Sequence, residues 1–235
     1  MGEVLIVAPD GERSATSHAV QIAARWRYRR VGEGEYALDG TPADCVYAGV
    51  TQLAPRKPDL VVSGINNGYN LGTDVLYSGT VAAAAEGVVL GIRGVAVSMD
   101  RDADVETVER AARFGGELAR WVVRSGWAPA WTLLNVNVPI GCRDNRYALG
   151  AMGTRVYRPA PRQRSTWPDH GTIELRRPGA SATDGAAGED AENLERGMIS
   201  VSPLRLDWTA RDQLDLGERM TLAGFESGGR AGHAD

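Results

Sequence analysis

The stretch VVSGINNGYNLGTDVLYSGTVAAAAEG, from Val61 to Gly87, dominates the interpretation of this 235-residue chain. An apolar strand enters it, an alanine-rich helix leaves it, and small polar residues fill the space between them. In an open α/β sheet, ligands bind beyond the carboxyl ends of the strands, where loops lead into helices. A turn of two or three residues would suffice to connect the two elements, so the length and polarity of this loop raise the question of a ligand.

Two interpretations of this loop remain open from its residues alone. In the first, Asn66 and Asn67 supply amide oxygens to a ligand, and Gly64 and Gly68 let the backbone approach it closely. Ser78-Gly79-Thr80 then opens a helix whose free N–H groups and dipole favour an anion. In the second, Ser78 only caps the helix and the asparagines only make turns.

Length and composition exclude several classes of protein. The chain is long enough for one large domain, and 43% hydrophobic and 24% charged residues are typical of a globular protein. A net charge of −4 argues against a nucleic-acid partner. No apolar run approaches the ~20 residues that cross a bilayer, and the N-terminus does not resemble a signal peptide. Cys45 and Cys142 are interpreted as small semi-buried hydrophobes, which suits a reducing cytoplasm.

The first two thirds of the chain predict an α/β fold with a doubly wound, mostly parallel sheet. The apolar runs EVLIVAP, PDLVVSGIN, RGVAVSMD and TLLNVNVP are typical of strands covered on both faces. In GTPADCVYAGVTQLAP, Thr41 is a natural N-cap and Pro42 and Asp44 suit the first helical turn. A long helix is predicted over DADVETVERAARFGGELARWVVRSG, with Gly126 just beyond its end.

The last third predicts a different organisation. TRVYRPA and GTIELRRPG indicate a long hairpin arm at about 153–178, and ASATDGAAGEDAEN indicates a flexible surface connection. GMISVSPLRLDW predicts one more strand, followed by a short helix from about Arg211. We therefore expect one domain over 1–225 and an unstructured tail over 226–235.

Other enzyme motifs are missing from the sequence. It contains no nucleophile elbow, no Walker A loop and no zinc-binding His-Glu-x-x-His pattern. The segment GEGEYALDG lacks the glycine spacing of a dinucleotide-binding loop and is interpreted as a turn. The histidines His18, His170 and His233 are scattered, so a catalytic histidine is not expected.

Several motifs together resemble the SurE (survival protein E) nucleotidase family. They are VAPDGERSATSH, GTPADCVYAGV, PDLVVSGINNGYNLGTDVLYSGTVAAAAEG, LLNVNVP and GMISVSPLRLD, in the order and spacing of that family. The resemblance implies a Rossmann-like fold with a hairpin arm and a C-terminal extension that form homodimers or homotetramers. It also implies a divalent-metal-dependent phosphatase that hydrolyses nucleoside 5′- or 3′-monophosphates in the cytoplasm, with no membrane partner.

The resemblance also assigns site residues. Ser14 and Asn66 match metal-binding positions, Ser78, Gly79 and Thr80 match the phosphate loop, and Asn70 lies in the same segment. Oxygen ligands indicate Mg²⁺ or Mn²⁺, which would activate a water molecule that attacks phosphorus. The loop would then be polar because it holds a metal and a phosphate.

The sequence departs from the family at one place. SurE proteins open with a strand, an Asn-Asp-Asp-Gly loop and a helix ahead of the strand that matches EVLIVAPD, and this unit does not precede that strand here. Without its two aspartates we expect weak metal binding, little activity and an unpaired central part of the sheet, and no catalytic residue is assigned. We expect in-frame DNA upstream of Met1 to encode the unit.

Three further interpretations complete the sequence-based expectations. Asp10 and Asp74 are the nearest carboxylates, and we interpret them as turn and cap residues. A cluster of arginines on the arm is interpreted as a solvated face, and comprises Arg155, Arg158, Arg162 and Arg164. The alternative to a phosphatase is a non-catalytic SurE-like protein that keeps the phosphate loop and the oligomer surface. The preferred nucleotide, any polyphosphate activity and the choice of dimer or tetramer do not follow from the sequence.

Overall fold

A computed structural model describes residues 2–21, 25–142, 146–154 and 189–213. The chain divides into two compact units, Met1–Leu204 and Arg205–Asp235. In the second unit a short 3-10 helix, Arg211–Gln213, lies where the sequence predicts one. The predicted hairpin arm beyond residue 154, its four arginines and the tail over 226–235 lie outside the described residues.

The described part of the chain forms eight strands and four α-helices. The strands are β1 (Ile6–Pro9), β2 (Tyr28–Gly32), β3 (Glu35–Leu38), β4 (Leu60–Asn67), β5 (Arg93–Met99), β6 (Thr132–Val138), β7 (Tyr147–Leu149) and β8 (Ile199–Arg205). The helices are α1 (Pro42–Ala48), α2 (Gly79–Val89), α3 (Val105–Ser125) and α4 (Asp190–Glu195). A π-helical turn, Gly49–Leu53, follows α1, and a 3-10 helix, Gly72–Tyr77, precedes α2.

The strands form two sheets. A three-stranded sheet has the order β1-β3-β2, with β1 parallel and β2 antiparallel to β3. A five-stranded sheet has the order β4-β5-β6-β8-β7, in which β4, β5 and β6 run parallel and β7 runs parallel to β8. Strands that alternate with helices in this way confirm the prediction of a Rossmann-like, mostly parallel α/β fold.

The main core lies around the centre of the five-stranded sheet. Strands β5 and β6 are buried on both faces, as the sequence predicts, and α3 packs against them through Ala111 and Val122. The buried strand residues of this cluster are Val95, Val97, Leu134, Val136, Val138, Ile199 and Val201. Burial of these aliphatic side chains is the main term that stabilises the sheet.

The prediction that all four apolar runs are covered on both faces is wrong for β1 and β4. Ile6 in β1 is 48% exposed and Val62 in β4 is 50% exposed. Each of these strands ends its sheet, so each has a ladder partner on one side.

The predicted helix caps are confirmed. Asp44 N–H donates to Thr41 Oγ1 at 3.1 Å, and Thr41 N–H donates back to Asp44 Oδ2 at 3.0 Å, which makes a capping box ahead of α1. Helix α3 begins after an N-cap that was not predicted, Asp104, whose carboxylate accepts from Thr107 N–H at 2.8 Å. It ends at Gly126, whose φ of 70° is the left-handed value that favours glycine there.

Some elements were not predicted. The segment GEGEYALDG contains the expected turn, but β2 and β3 flank it as a hairpin. The connection predicted to be flexible is helical from Asp190, so that prediction is wrong for residues 190–193. Asp190 is fully buried, and its tertiary contacts hold α4 in a segment whose composition favours a loop.

Two smaller findings concern the cysteines and the helices. Cys45 and Cys142 are free and buried, which confirms their interpretation as small hydrophobes, and burial raises the pKa of Cys45 to about 12. In the described part of the chain, no helix combines the length and the apolar character that a membrane span needs.

Candidate functional site

The loop that the sequence singles out lies at the carboxyl edge of the five-stranded sheet. Strand β4 ends at Asn67, and the chain then passes through the 3-10 helix Gly72–Tyr77 to α2. Because α2 returns to the amino end of β5, its own N-terminus lies at the carboxyl edge. The topology therefore puts the end of β4 and the start of α2 where ligands bind in this class of fold.

Helix α2 begins where the sequence predicts it. Ser78 is the N-cap, and its Oγ accepts from Val81 N–H at 3.1 Å. The first backbone hydrogen bond of the helix runs from Ala82 N–H to Ser78 O at 3.0 Å. The N–H groups of Gly79 and Thr80 precede that bond, so they point out of the helix at its positive end.

The segment that carries Ser14 packs against the start of α2. Ser17 N–H donates to Tyr77 O at 3.1 Å, and Ser17 Oγ donates to Leu76 O at 2.6 Å. A Cβ atom at Gly79 would lie 3.1 Å from Thr16 Oγ1, so glycine is what allows this close approach. The structure thus brings the Ser14 segment and the predicted phosphate loop together, although they are more than sixty positions apart in the sequence.

Asn66 lies near the carboxyl end of β4, whereas Ser14 lies in a turn that follows β1 of the other sheet. Ser14 is exposed, and its Oγ donates to Glu12 Oε1 at 2.9 Å. Asn66 is half-buried beside Ser98 of β5, and its Nδ2 donates to Gly68 O at 2.7 Å. The oxygen of the Asn66 amide is therefore the atom that suits a ligand. Among the described residues no hydrogen bond joins Ser14 to Asn66.

Gly64 has a different role from the one predicted for it. Its φ is 122°, and a Cβ atom there would lie 2.2 Å from Val97 O of the neighbouring strand. The ladder between β4 and β5 also shifts register between Ser63 and Asn66. Glycine is therefore required for the close approach of two strands at an irregularity of the ladder, and the predicted approach to a ligand is not needed to explain it.

Asn70 lies within the loop, and its side chain is buried. It is 7% exposed, and its Nδ2 donates to Ser98 Oγ at 2.7 Å. Its backbone N–H donates to Asn137 Oδ1 at 2.8 Å. The side chain predicted to bind the substrate thus bonds to a buried side chain of the protein.

Comparison with known proteins identifies the family. The family model described as Survival protein SurE matches residues 1–163. The chain belongs to the SurE family. A 5′-nucleotidase SurE from Anaeromyxobacter sp. (strain K) is 43% identical over 234 residues, which cover 95% of this chain and 88% of that protein. One from Geotalea daltonii is 41% identical over 218 residues, covering 89% of this chain and 84% of that protein.

A solved SurE structure has the same fold. The crystal structure of the SurE protein from Aquifex aeolicus superimposes with a TM-score of 0.77 at 34% sequence identity. The match covers 92% of this chain and 88% of that chain. The similarity therefore extends over the fold as well as over the motifs from which the resemblance to SurE proteins was recognised.

The predicted SurE metal ligands do not by themselves fit a divalent cation. Ser14 and Asn66 offer two neutral oxygens, which do not offset the dehydration of Mg²⁺ or Mn²⁺. Within the described ranges, no group of three or more His, Cys, Asp or Glu side chains could hold a metal ion. Asp10 follows β1, and its carboxylate accepts from Arg13 Nη2 at 3.2 Å, a contact between side chains.

A contact between His18 and Glu86 was not predicted from the sequence. His18 Nε2 lies 2.8 Å from Glu86 Oε2, and Glu86 is buried on α2. The contact links the segment that follows Ser14 to α2, the helix whose N-terminus borders the candidate site. The one available signal was a single glutamate inside the alanine run of α2, because a buried carboxylate needs a partner.

Replacing His18 by alanine is expected to lower the free energy of unfolding by about 1–3 kcal/mol, because the buried Glu86 carboxylate loses its hydrogen-bond partner. Urea unfolding measures the change. In a Glu86→Gln background the same replacement is expected to cost less, since a neutral amide tolerates the loss better than a carboxylate. An equal cost in both backgrounds would show that the two side chains do not interact.

Proposed function

We propose that this chain acts as a SurE-type 5′-nucleotidase, a metal-dependent phosphomonoesterase that cleaves nucleoside 5′- or 3′-monophosphates to nucleoside and phosphate. The observation that carries the proposal is the start of α2, where outward N–H groups, a capping hydroxyl and the Ser14 segment meet. The names of the relatives support the reaction class.

The phosphate group is held by the N-terminus of α2. The N–H groups of Gly79 and Thr80 and the helix dipole attract an anion, and the hydroxyls of Ser78 and Thr80 would donate to phosphate oxygens. An 11-residue helix carries a dipole large enough for this. Asn70 holds the loop in position through its buried hydrogen bonds to Asn137 and Ser98.

The metal is the second part of the proposal. Ser14 and Asn66 would each contribute one neutral oxygen to Mg²⁺ or Mn²⁺, and two such oxygens alone do not hold the ion. No residue of the chain is assigned a catalytic role. A nucleoside monophosphate as partner, a homodimer or homotetramer and a cytoplasmic location stay predictions.

Phosphate release from a panel of nucleoside 5′- and 3′-monophosphates, with and without Mn²⁺, tests the reaction. It is measured on the 235-residue chain and on the chain with any in-frame upstream extension. Release that depends on the ion supports the proposal. Phosphate binding without release from either form would favour a non-catalytic SurE-like protein.

Thr80→Asp is expected to weaken the binding of inorganic phosphate at least tenfold, because a carboxylate in the first turn of α2 repels the anion at its site. The same carboxylate favours the helix dipole, so the melting temperature is expected to stay equal or rise. Calorimetry of phosphate binding and thermal unfolding measure the two effects.

The matched control is Thr80→Asn, which has nearly the same shape without the charge. It is expected to bind phosphate more tightly than Thr80→Asp. If the two variants bind phosphate equally, the anion does not sit at the start of α2 and the site assignment fails.

A further inference from the structure

Four buried polar residues connect the loop between β4 and α2 to strands β5 and β6. We call this set the Asn70 clamp, and it consists of Asn70, Ser98, Asn135 and Asn137. The three partners of Asn70 are all 0% exposed. Ser98 and Asn137 are opposite each other in the ladder between β5 and β6, near the carboxyl ends of both strands.

The clamp binds the backbone of Asn70 through side chains. Asn137 accepts from Asn70 N–H with Oδ1 at 2.8 Å and donates to Asn70 O with Nδ2 at 2.9 Å. Asn135 Nδ2 donates to the same carbonyl oxygen at 2.8 Å. The amide of Asn137 thus pairs with Asn70 through a donor and an acceptor, as a residue of an adjacent strand would.

This use of asparagine is unfavourable for the strand itself. Asparagine is depleted in strands, and a buried amide costs free energy wherever a polar atom has no partner. Asn135 Oδ1 is such an atom, since it is buried and has no hydrogen-bond partner among the described residues. Leucine at the same position would suit the apolar run of β6 better, so strand stability alone does not explain these residues.

The clamp instead explains how the loop keeps its place. Asn70 lies eight residues before Ser78, and the loop is also tied by Gly68 N–H to Met99 O at 3.0 Å. Gly72 N–H donates to Asp190 Oδ2 at 2.7 Å. The chain between the end of β4 and the start of α2 is therefore anchored at three alternate residues, and Asn70 takes part in more of these bonds than the other two.

We propose that Asn137 is a positioning residue for the phosphate site, since its side-chain amide pairs with the backbone of Asn70 and so fixes the loop that presents Ser78–Thr80. The inference rests on the proposed function for what the site binds. The loop position itself is a property of the fold. Asn135 has a supporting role, because it bonds only the carbonyl oxygen of Asn70, whereas Asn137 bonds both the N–H and the carbonyl oxygen.

The test compares Asn137→Leu with Asn135→Leu. Leucine at 137 leaves both backbone groups of Asn70 without the Asn137 amide, so amide hydrogen exchange of residues 70–79 is expected to speed up about tenfold or more. Leucine at 135 keeps the Asn137 bonds and also removes the unpaired Asn135 oxygen. Its effect on the same amides is expected to be several times smaller. Amides of α3 serve as the internal control and are expected to exchange at unchanged rates in both variants.

The second readout is phosphate affinity at a temperature where the variants are folded. Asn137→Leu is expected to weaken phosphate binding about 10- to 100-fold, since small displacements of positioning groups have effects of this size. If Asn137→Leu does not fold, Asn137→Ala leaves room for water and is compared in the same way. A purely structural role would change exchange in α3 as much as in the loop.

The outcomes separate the two proposals. Unchanged exchange over residues 70–79 overturns the clamp, whatever the activity of the protein. Faster exchange with unchanged phosphate affinity overturns the positioning role. If Thr80→Asp and Thr80→Asn bind phosphate equally, the assignment of the phosphate site to the start of α2 fails, and the positioning role fails with it even where exchange shows that Asn137 holds the loop.

Discussion

Gly64→Ala is expected to prevent the chain from folding into a stable domain. A Cβ atom at Gly64 would lie 2.2 Å from Val97 O, and Gly64 has a φ of 122°, which L side chains rarely adopt. The obstacle is backbone, so no side-chain rotation relieves it. Val97 lies in the buried centre of the sheet, and moving it would disrupt the ladder on both sides of β5.

The expected loss is about 4–5 kcal/mol or more, which is the exceptional end of the range for single substitutions and a large part of the stability of a typical domain. Soluble yield and thermal unfolding measure it. Gly116→Ala is the matched control, because Gly116 lies within α3 and a Cβ atom there meets nothing within 4 Å. It is expected to stabilise the chain by about 0.5–1 kcal/mol. A Gly64→Ala variant that melts near the wild-type temperature would contradict the strand geometry at this position.

Gly64 also shows what the sequence could and could not predict. Its position before Ile65 and Asn66 marks the end of a strand beside a polar loop, and from those residues an approach to a ligand was a reasonable expectation. The neighbour that requires glycine is Val97, more than thirty residues away. A single sequence does not show which strands are neighbours in the sheet. The need for glycine at position 64 could therefore be recognised, but its cause, the neighbouring strand at Val97, could not.

The elements predicted best are those with local signals. Thr41 and Asp44 at the start of α1, and Gly126 at the end of α3, act within one turn of a helix end, so their roles follow from local spacing. The helix start at Ser78 is of the same kind. Burial of β5 and β6 was also predicted from their apolar runs, while β1 and β4 differ because sheet neighbours, which are non-local, decide the exposure of a strand.

In the candidate site, too, the local features were predicted and the contacts between distant residues were not. The polar loop and its helix were evident from the residues, and the SurE resemblance supplied Ser14 and Asn66. The Asn70 clamp was not predicted, although LLNVNVP was among the quoted motifs, because two asparagines in an apolar run do not show which loop they bond. The contact between His18 and Glu86 was missed for the same reason, since 68 positions separate the two residues.

Asp190→Ala is expected to lower the free energy of unfolding by about 2–5 kcal/mol. Asp190 is fully buried, and its carboxylate accepts from Gly72 N–H at 2.7 Å and from Gly153 N–H at 3.3 Å. Alanine leaves both N–H groups without that acceptor, and each unsatisfied buried group costs about 1–3 kcal/mol. Urea unfolding measures the loss. A cost below about 1 kcal/mol would show that water or other groups replace the carboxylate.

The pH dependence of stability separates the charge of Asp190 from its hydrogen bonds. Burial raises the pKa of Asp190 above its ordinary value of 3.8, although the backbone donors act in the opposite direction. The native chain therefore holds this proton more tightly than the unfolded chain does. The resulting stabilisation is complete below about pH 3.8 and is lost as the pH rises through the raised native pKa.

Asp190→Asn is the control because an amide does not titrate. The stability of the wild type relative to Asp190→Asn is expected to fall with rising pH above 3.8 and then level off, and a relative stability that rises with pH would mean that hydrogen bonds outweigh burial at this carboxylate.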